Sequence, residues 1–540
     1  MVQNARRIAV NQIGYPAGSE KKAVFWDEGE FEVIDAASGA VVHRGATSAL
    51  RRDEASGEAV AFGDFTPLDA PGRYFIRHVR TGERSATFGI GPSLYDDVHR
   101  GALKAFYFFR CGMELSEPFA GPWTHKACHL SDGIVYREPD RRLAGRGGWH
   151  DAGDYGKYTV PAAKAAADLL LACECYPGAF RKPVPLPETD GRTPDVLHEV
   201  RWELEFLFRM QDPATGGAFH KLTTKQFPPL DLKPEDDLGD LYFLPVSPTA
   251  TADFAAIMAM ASRVYRPFDA AFADRCLAAA LRAWAWLEAH PDAPHFKNPA
   301  DVLTGEYGDD CGDDERFWAA AELYRATGEA RFHDEVKRLA GLPFSKTELG
   351  WADVGGYGSI AYLLMDESAA DPALRSALAA EWKARADRLA AAAGESGFAV
   401  ALAPGDYVWG SNMLVMNRAM HLLIAHRLFG DPAHEKAALD QVHYLLGRNA
   451  LDISFVTGFG DRHVRHPHYR PGVADGVEEP VPGFVSGGPN AGLQDEKARE
   501  ALAGMPPARC FIDHQDSYST NEVAIYWNSP AVFVLSHWVR

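Results

Sequence analysis

The chain has 540 residues, 46% hydrophobic and 24% charged, the composition of an ordinary soluble globular protein with room for one large domain and one small one. Its 55 Lys and Arg against 74 Asp and Glu leave a net charge of −19, which excludes a nucleic-acid or anionic-membrane partner and suits a neutral or cationic substrate. No apolar run reaches the roughly 18 residues of a membrane span, and seven scattered cysteines are an odd, sparse set, unlike a disulfide framework.

Met1 to Arg7 runs into the strand-like Ile8-Ala9-Val10 with no apolar h-region. The chain therefore reads as cytoplasmic, or as secreted if a signal has been removed. From Ile8 to about Ile90, short β-type runs such as Ala23-Val24-Phe25-Trp26, Phe31-Glu32-Val33-Ile34 and Gly72-Arg73-Tyr74-Phe75-Ile76 alternate with turn signals. They predict a small β-sandwich domain over residues 1–91. Beyond it strand signals nearly vanish and apolar residues recur at helical spacing. About twelve helices are expected, near 94–110, 155–176, 193–211, 250–265, 269–289, 313–327, 330–340, 357–368, 373–394, 410–429, 432–447 and 519–538. They show no motif repeating at a fixed period, so a mainly α, closed double ring over residues 92–540 is preferred to a solenoid. Three long loops, Gly112 to Asp154, Gly216 to Pro248 and Asn449 to Ser517, are too long to be idle connections.

The first loop ends in Gly147-Gly148-Trp149-His150-Asp151-Ala152-Gly153-Asp154-Tyr155-Gly156-Lys157-Tyr158. Glycines there permit a sharply bent chain that presents Asp151 and Asp154 to one space, although a lone D-x-x-D is also a common surface turn. Glu522, in Tyr518-Ser519-Thr520-Asn521-Glu522-Val523-Ala524, opens an otherwise apolar segment. A carboxyl held against apolar surface keeps its proton more readily, as a general acid must; the alternative is a first-turn Glu favoured by the helix dipole. Glycoside hydrolysis needs such a set, with one acid for the leaving oxygen and one carboxylate on the opposite face of the sugar.

The loop Gly148 to Tyr155 and the segment Tyr518 to Ala524 resemble the two signature regions of glycoside hydrolase family 9, the former cellulase family E. Asn11-Gln12-Ile13-Gly14-Tyr15-Pro16 resembles the start of the immunoglobulin-like module that precedes the catalytic domain in one bacterial branch. Pro194-Asp195-Val196-Leu197, Thr251-Ala252-Asp253-Phe254, Asp314 to Tyr324, Gly410-Ser411-Asn412 and Tyr444-Leu445-Leu446-Gly447 extend the likeness over nearly the whole chain. The resemblance implies an (α/α)6 barrel and inverting hydrolysis of β-1,4-linked glucans. It implies Asp154 as general base, Asp151 as its helper on the nucleophilic water, and Glu522 as general acid. Inversion sets an expected carboxyl separation of roughly 6.5 to 9.5 Å. His468 and Arg470 match the first and third positions of a substrate-binding His-His-Arg, with Tyr469 in place of the second histidine. Trp527, where many members have Tyr, and His198, where an acidic residue is usual, are further departures, and Tyr469 and Trp527 put linkage and chain-length preference in question.

Cys111, Cys128, His129 and His150 form a Cys2His2 set suited to a structural zinc, with His125 as a competing ligand and two buried cysteines beside unrelated histidines as the alternative. Some members of the family carry zinc in that region. The acidic run Gly305 to Glu315 groups hard oxygen donors as calcium requires. By resemblance Asp310, Asp314, Glu315 and the remote Asp353 are its ligands; from the residues alone an N-cap cluster for the next helix explains them equally. Trp123, Trp149, Tyr307, Trp318, Trp351 and Trp409 are candidate sugar platforms, because glucosyl C–H faces pack on flat apolar surfaces, with packing in the core as the alternative for at least half of them; Trp149, Tyr307, Trp318 and Trp409 are preferred, with Tyr518 of the second signature. The chain thus reads as a monomeric, endoglucanase-like enzyme on β-glucan or cello-oligosaccharides. An exo-acting cello-oligosaccharide hydrolase or exo-β-glucosaminidase is the rival within the class, and a non-catalytic carbohydrate-binding protein the rival outside it.

Overall fold

The computed structural model describes residues 6–539; residues 1–5, on which the reading of location partly rests, lie outside them. The chain forms two compact units, one of Met1–Ala105, Ala386–His468 and Glu478–Arg540, the other of Phe106–Arg385 and Tyr469–Val477. Among the described residues no helix is long and apolar enough to cross a membrane.

The first unit begins with the expected sandwich. Its strands are β1 (Ile8–Ala9), β2 (Gly14–Pro16), β3 (Lys22–Phe25), β4 (Glu30–Asp35), β5 (Val41–Ala46), β6 (Arg51–Arg52), β7 (Ala59–Asp64), β8 (Gly72–His78) and β9 (Phe88–Gly91). One sheet runs β1-β3-β7-β6 and the other β2-β9-β8-β4-β5. Alternation in β4 explains the core: Phe31 and Val33 are fully buried while Glu30 faces solvent. They meet Phe25, Phe65, Phe88 and Ile90 between the sheets.

The segment Asn11 to Pro16 fastens the sandwich to the helices of its own unit. Gln12 donates its backbone N–H to the Leu446 carbonyl at 2.9 Å, and Asn11 Nδ2 lies 2.9 Å from His443 Nδ1. A Cβ on Gly447, at φ 127°, would stand 2.8 Å from the Val10 carbonyl oxygen, so only glycine lets the two motifs close up. Behind them pack the helices Ser411–Phe429, Pro432–Leu445 and Ile525–Ser536.

In the second unit, Thr159–Cys175 and Pro248–Val264 are Ala-rich and buried nearly all round. Ala330–Ala340 instead buries only Phe332, Val336 and Leu339, one stripe of its surface. Pro248–Val264 packs on Ala270–Ala289, Asp313–Thr327 and Thr159–Cys175. All twelve expected helices form, with two corrections. The helix expected from residue 155 starts at Thr159, because Lys157–Tyr158 is a strand. The one expected over 519–538 is split into Tyr518–Asn521 and Ile525–Ser536.

The first two long loops are not structureless. With Lys157–Tyr158 they fold into a five-stranded sheet in the order Glu138–Leu143, Gly133–Val135, Tyr242–Phe243, Lys221–Thr223, Lys157–Tyr158. These strands are two to six residues long, too short to show an alternating pattern. The last of them follows the Asp151/Asp154 loop directly, so the sheet anchors that loop from its C-terminal side.

Candidate active site

The Asp151/Asp154 loop is held by one helix, Asp195–Met210. Glu203 accepts the Trp149 backbone N–H at 2.5 Å, Glu199 accepts the Trp149 indole N–H at 2.8 Å, and the Trp202 indole donates to the Gly148 carbonyl at 3.1 Å. These residues lie three and four apart, on one helix face. A Cβ on Gly148 would stand 2.5 Å from the Phe206 ring, which is why the loop is glycine where it crosses that face. From the other side Lys157 donates to the carbonyls of Gly145 and Gly147. Burial pushes the Glu203 carboxyl up to about 8, so at neutral pH it accepts the Trp149 N–H largely as a neutral acid.

Both aspartates are buried, and a tyrosine hydroxyl donates to each. Tyr307 reaches Asp151 Oδ2 at 2.5 Å, and Tyr158 reaches Asp154 Oδ2 at 3.2 Å. Asp154 also accepts the Gly156 N–H at 3.0 Å, and a Cβ on Gly156 would crowd that oxygen at 2.7 Å. Burial raises the Asp154 pKa, opposed by the Arg470 guanidinium, the Gly156 N–H and the Tyr158 hydroxyl. Arg470 grips the Gly153 carbonyl with its backbone N–H at 3.2 Å and its guanidinium at 2.8 Å, and donates to the Pro228 carbonyl at 3.0 Å. These contacts brace the loop.

Glu522 is half-buried in the first unit and not in a helix. It caps Tyr518–Asn521 in extended geometry, with φ −68° and ψ 164°, ahead of Ile525–Ser536. The first-turn dipole explanation therefore does not apply. Its carbonyl accepts the Gly487 N–H at 2.9 Å, and His468, paired beside it, donates its N–H to the Asn521 carbonyl at 2.9 Å. His468 Nδ1 lies 2.6 Å from the Gln515 carbonyl, so that nitrogen carries a proton and donates. Trp409, 41% exposed, stands 5.2 Å from Tyr518 between ring centroids, an aromatic pair of the kind a sugar needs.

Two expected platforms are corrected. Trp149 and Trp318 are 1% and 0% exposed, packed against Phe106 and Tyr357, and offer no face to a sugar. Tyr307 remains half-buried, edge-on to Trp351 at 4.9 Å.

Cys111, Cys128, His129 and His150 are all buried, and one donor atom from each lies within 4.8 Å of the others. His129 Nε2 is 3.2 Å from Asp237 Oδ2, which fixes that ring and leaves the other nitrogen for the cluster. His125 is outside it, with Nδ1 on the Lys126 carbonyl. Two thiols, two imidazoles and an outer carboxylate fit a tetrahedral metal.

The acidic cluster differs from the expected set. Asp310 points outward, 87% exposed and 3.3 Å from Lys297. Asp253 and Asp309, not anticipated as ligands, join Asp314, Glu315 and Asp353 through mutual charge. Burial, then the neighbouring carboxylates, raise Asp253 and Glu315 well above the ordinary range. Both oxygens of Asp253 and Glu315, and Oδ1 of Asp314, have no hydrogen-bond partner among the described residues. One signal was present in the sequence: Asp253 is the single charge in the apolar run Pro248 to Ser262.

Paired buried carboxylates on a glycine-rich loop of the second unit, and in the first unit a further carboxyl near an exposed aromatic pair, are the residue types that glycoside hydrolysis requires. The sequence pattern of glycosyl hydrolase family 9 spans residues 95–535, and that of the cellulase N-terminal ig-like domain spans residues 3–83. The chain belongs to glycosyl hydrolase family 9, and its fold class is the (α/α)6 barrel preceded by an immunoglobulin-like sandwich. It is 40% identical to a cellodextrinase of Butyrivibrio fibrisolvens, over 98% of this chain and 99% of that one. A crystal structure of a single mutant of a thermostable endoglucanase from Alicyclobacillus acidocaldarius superposes with a TM-score of 0.93 at 46% identity, covering 99% and 100% of the two chains. A zinc-binding triple mutant of the family 9 endoglucanase J30 matches with a TM-score of 0.92 at 34% identity, over 97% and 100%.

Proposed function

We propose that the enzyme hydrolyses β-1,4-glucosidic bonds of cellulose-type glucans with inversion, Asp154 acting as base and Glu522 as acid. Asp154 takes a proton from water that Asp151 helps to orient, and the water oxygen bonds to the anomeric carbon. Glu522 gives its proton to the glycosidic oxygen as the C–O bond breaks, and the new hydroxyl lies on the opposite face. The observation that carries this reading is the tyrosine donor on each buried aspartate, which favours the ionised form needed to accept a proton. The full-length likeness to a cellodextrinase favours short soluble cello-oligosaccharides as a second reading beside endo action. Residues 1–91 and 92–540 are the corresponding sandwich and catalytic domains, supported by the two family patterns.

Zinc is the metal we assign to Cys111, Cys128, His129 and His150, where it would fix the loop one residue before Asp151. Calcium is assigned to Asp314, Glu315 and Asp353 together with Asp253 and Asp309, in place of Asp310. Each supplies structural support when bound; the proton transfers stay with the carboxyl groups.

The test is the anomer released from cellopentaose, followed by NMR, with the Asp154→Asn and Glu522→Gln variants. An initial α-anomer and loss of cleavage in both variants are expected. An initial β-anomer, or unchanged cleavage by either variant, rejects the assignment. A parallel comparison of viscosity loss with reducing-end release separates endo from exo action.

A further inference from the structure

Lys221 is fully buried beside the catalytic loop and takes no part in the proposed proton transfers. It sits on the strand Lys221–Thr223, paired directly with Tyr158. Its ammonium lies 5.5 Å from the Tyr158 ring centroid and donates to three oxygens: the Thr304 hydroxyl at 3.0 Å, the Thr304 carbonyl at 3.2 Å and the Gly305 carbonyl at 2.6 Å. Next to it, His220 stacks on Phe296 at 3.8 Å and holds the Glu306 carbonyl at 3.0 Å. Every carbonyl from 304 to 306 is therefore gripped by this dipeptide. The next residue is Tyr307, a non-glycine residue at φ 47°, whose hydroxyl rests on Asp151. A left-handed conformation there persists only where neighbours enforce it. Burial pulls the Lys221 pKa down to about 7 against the carboxylates of Asp154 and Glu306, so keeping an ammonium at this point has a cost that its three acceptors offset.

We propose that Lys221 is a positioning residue, fixing the backbone of residues 304–306 so that the Tyr307 hydroxyl stays on Asp151. The inference rests on the catalytic reading above. A misplacement of about 1 Å at a reacting centre costs on the order of 10²-fold in rate, so Lys221→Met should lower kcat about 10- to 100-fold with KM within about twofold. Tyr307→Phe should lower kcat similarly, and the double variant should be scarcely worse than either single one, because both changes release the same hydroxyl.

The experiment is this double-mutant cycle on cellopentaose, kcat and KM measured separately, with thermal melting as the check on folding. Should Lys221→Met not fold, Thr304→Val, which removes one acceptor, replaces it in the same cycle. Independent effects that multiply, or a folded Lys221→Met with unchanged kcat, overturn the proposal. Asp154→Asn is run alongside. If it stays active the catalytic reading itself fails; if it is inactive while the cycle is additive, only the role of Lys221 fails.

Discussion

Two groups of buried carboxylates in the same unit are handled in opposite ways. At the catalytic loop, Asp151 and Asp154 meet donors supplied by the chain: tyrosine hydroxyls, the Gly156 N–H and the charge of Arg470. In the second group, Asp253 and Glu315 have no donor on any oxygen among the described residues, and their neighbours include further carboxylates. Stranding an ionised group in this way costs several kcal/mol. The first arrangement keeps its charge in place with protein groups that leave the carboxylates free to exchange protons with water. The second is stable as anions only around a cation. On the proposed reading the first group titrates and the second holds a cation.

The largest break in the comparison comes from replacing a reacting member of the first group. Asp154→Asn keeps the shape and removes the proposed base, and kcat on cello-oligosaccharides should fall 10²- to 10⁴-fold. The corresponding Glu315→Gln in the second group should leave kcat of the calcium-loaded enzyme within a fewfold, with the loss appearing in melting temperature. Steady-state kinetics and calorimetry on the two variants decide it; a reversed pattern breaks the distinction.

Next in size is removal of the proposed cation. Chelation should destabilise the enzyme by about 3 kcal/mol, the linkage expected for a ligand held at a few hundred times its Kd. The sign with pH follows from the raised pKa values. Folded Asp253 and Glu315 bind protons more tightly than the unfolded chain does, and Asp309 is pushed up to about 6. Stability of the chelated enzyme is therefore present below the ordinary carboxylate range and lost as pH rises through the raised values. Melting between pH 5 and 8 should show a downward slope with chelator that calcium flattens. Parallel slopes with and without calcium would count against a cation there.

A smaller effect is expected from Tyr158→Phe. Its hydroxyl favours the charged form of Asp154, whose pKa burial already raises, so losing it raises that pKa further. The acid limb of kcat/KM should move to higher pH by up to about one unit. A limb that stays put or moves down would mean that this hydrogen bond does not govern the base.

What the sequence made legible follows the range of the interactions. The small sandwich, though not all nine of its strands, and the twelve helices came from periodicity, a local property. Asp151, Asp154, Glu522 and the Cys2His2 donors came from motifs whose members are chemically unusual where they stand. Trp149 was misjudged because a tryptophan in a loop looks alike whether its ring faces Glu199 or solvent, and Trp318 because it lies inside the helix Asp313–Thr327, packed on Tyr357. The loop sheet escaped notice because strands such as Lys157–Tyr158 carry no pattern. The helix Asp195–Met210 was found, but its bracing face could not be, since Glu199, Trp202 and Glu203 acquire that role only where the loop crosses them.

The finest test of the comparison separates two adjacent aspartates. Asp309 and Asp310 look equivalent in sequence, and the acidic run alone favours neither. In the structure Asp309 feels the charge of Asp314 and Asp353, while Asp310 projects into solvent beside Lys297. An exposed pair of that kind contributes at most about 1 kcal/mol and is screened by salt. Asp310→Asn should therefore leave the calcium-dependent melting shift within about 0.5 kcal/mol of the parent. Asp309→Asn removes one of the charges the cation would neutralise, so it should weaken calcium binding while easing the repulsion in the chelated enzyme. Its melting temperature should rise slightly with chelator and gain less from calcium. Calcium titrations followed by calorimetry on both variants give the answer, and equal losses in the two would return Asp310 to the ligand set.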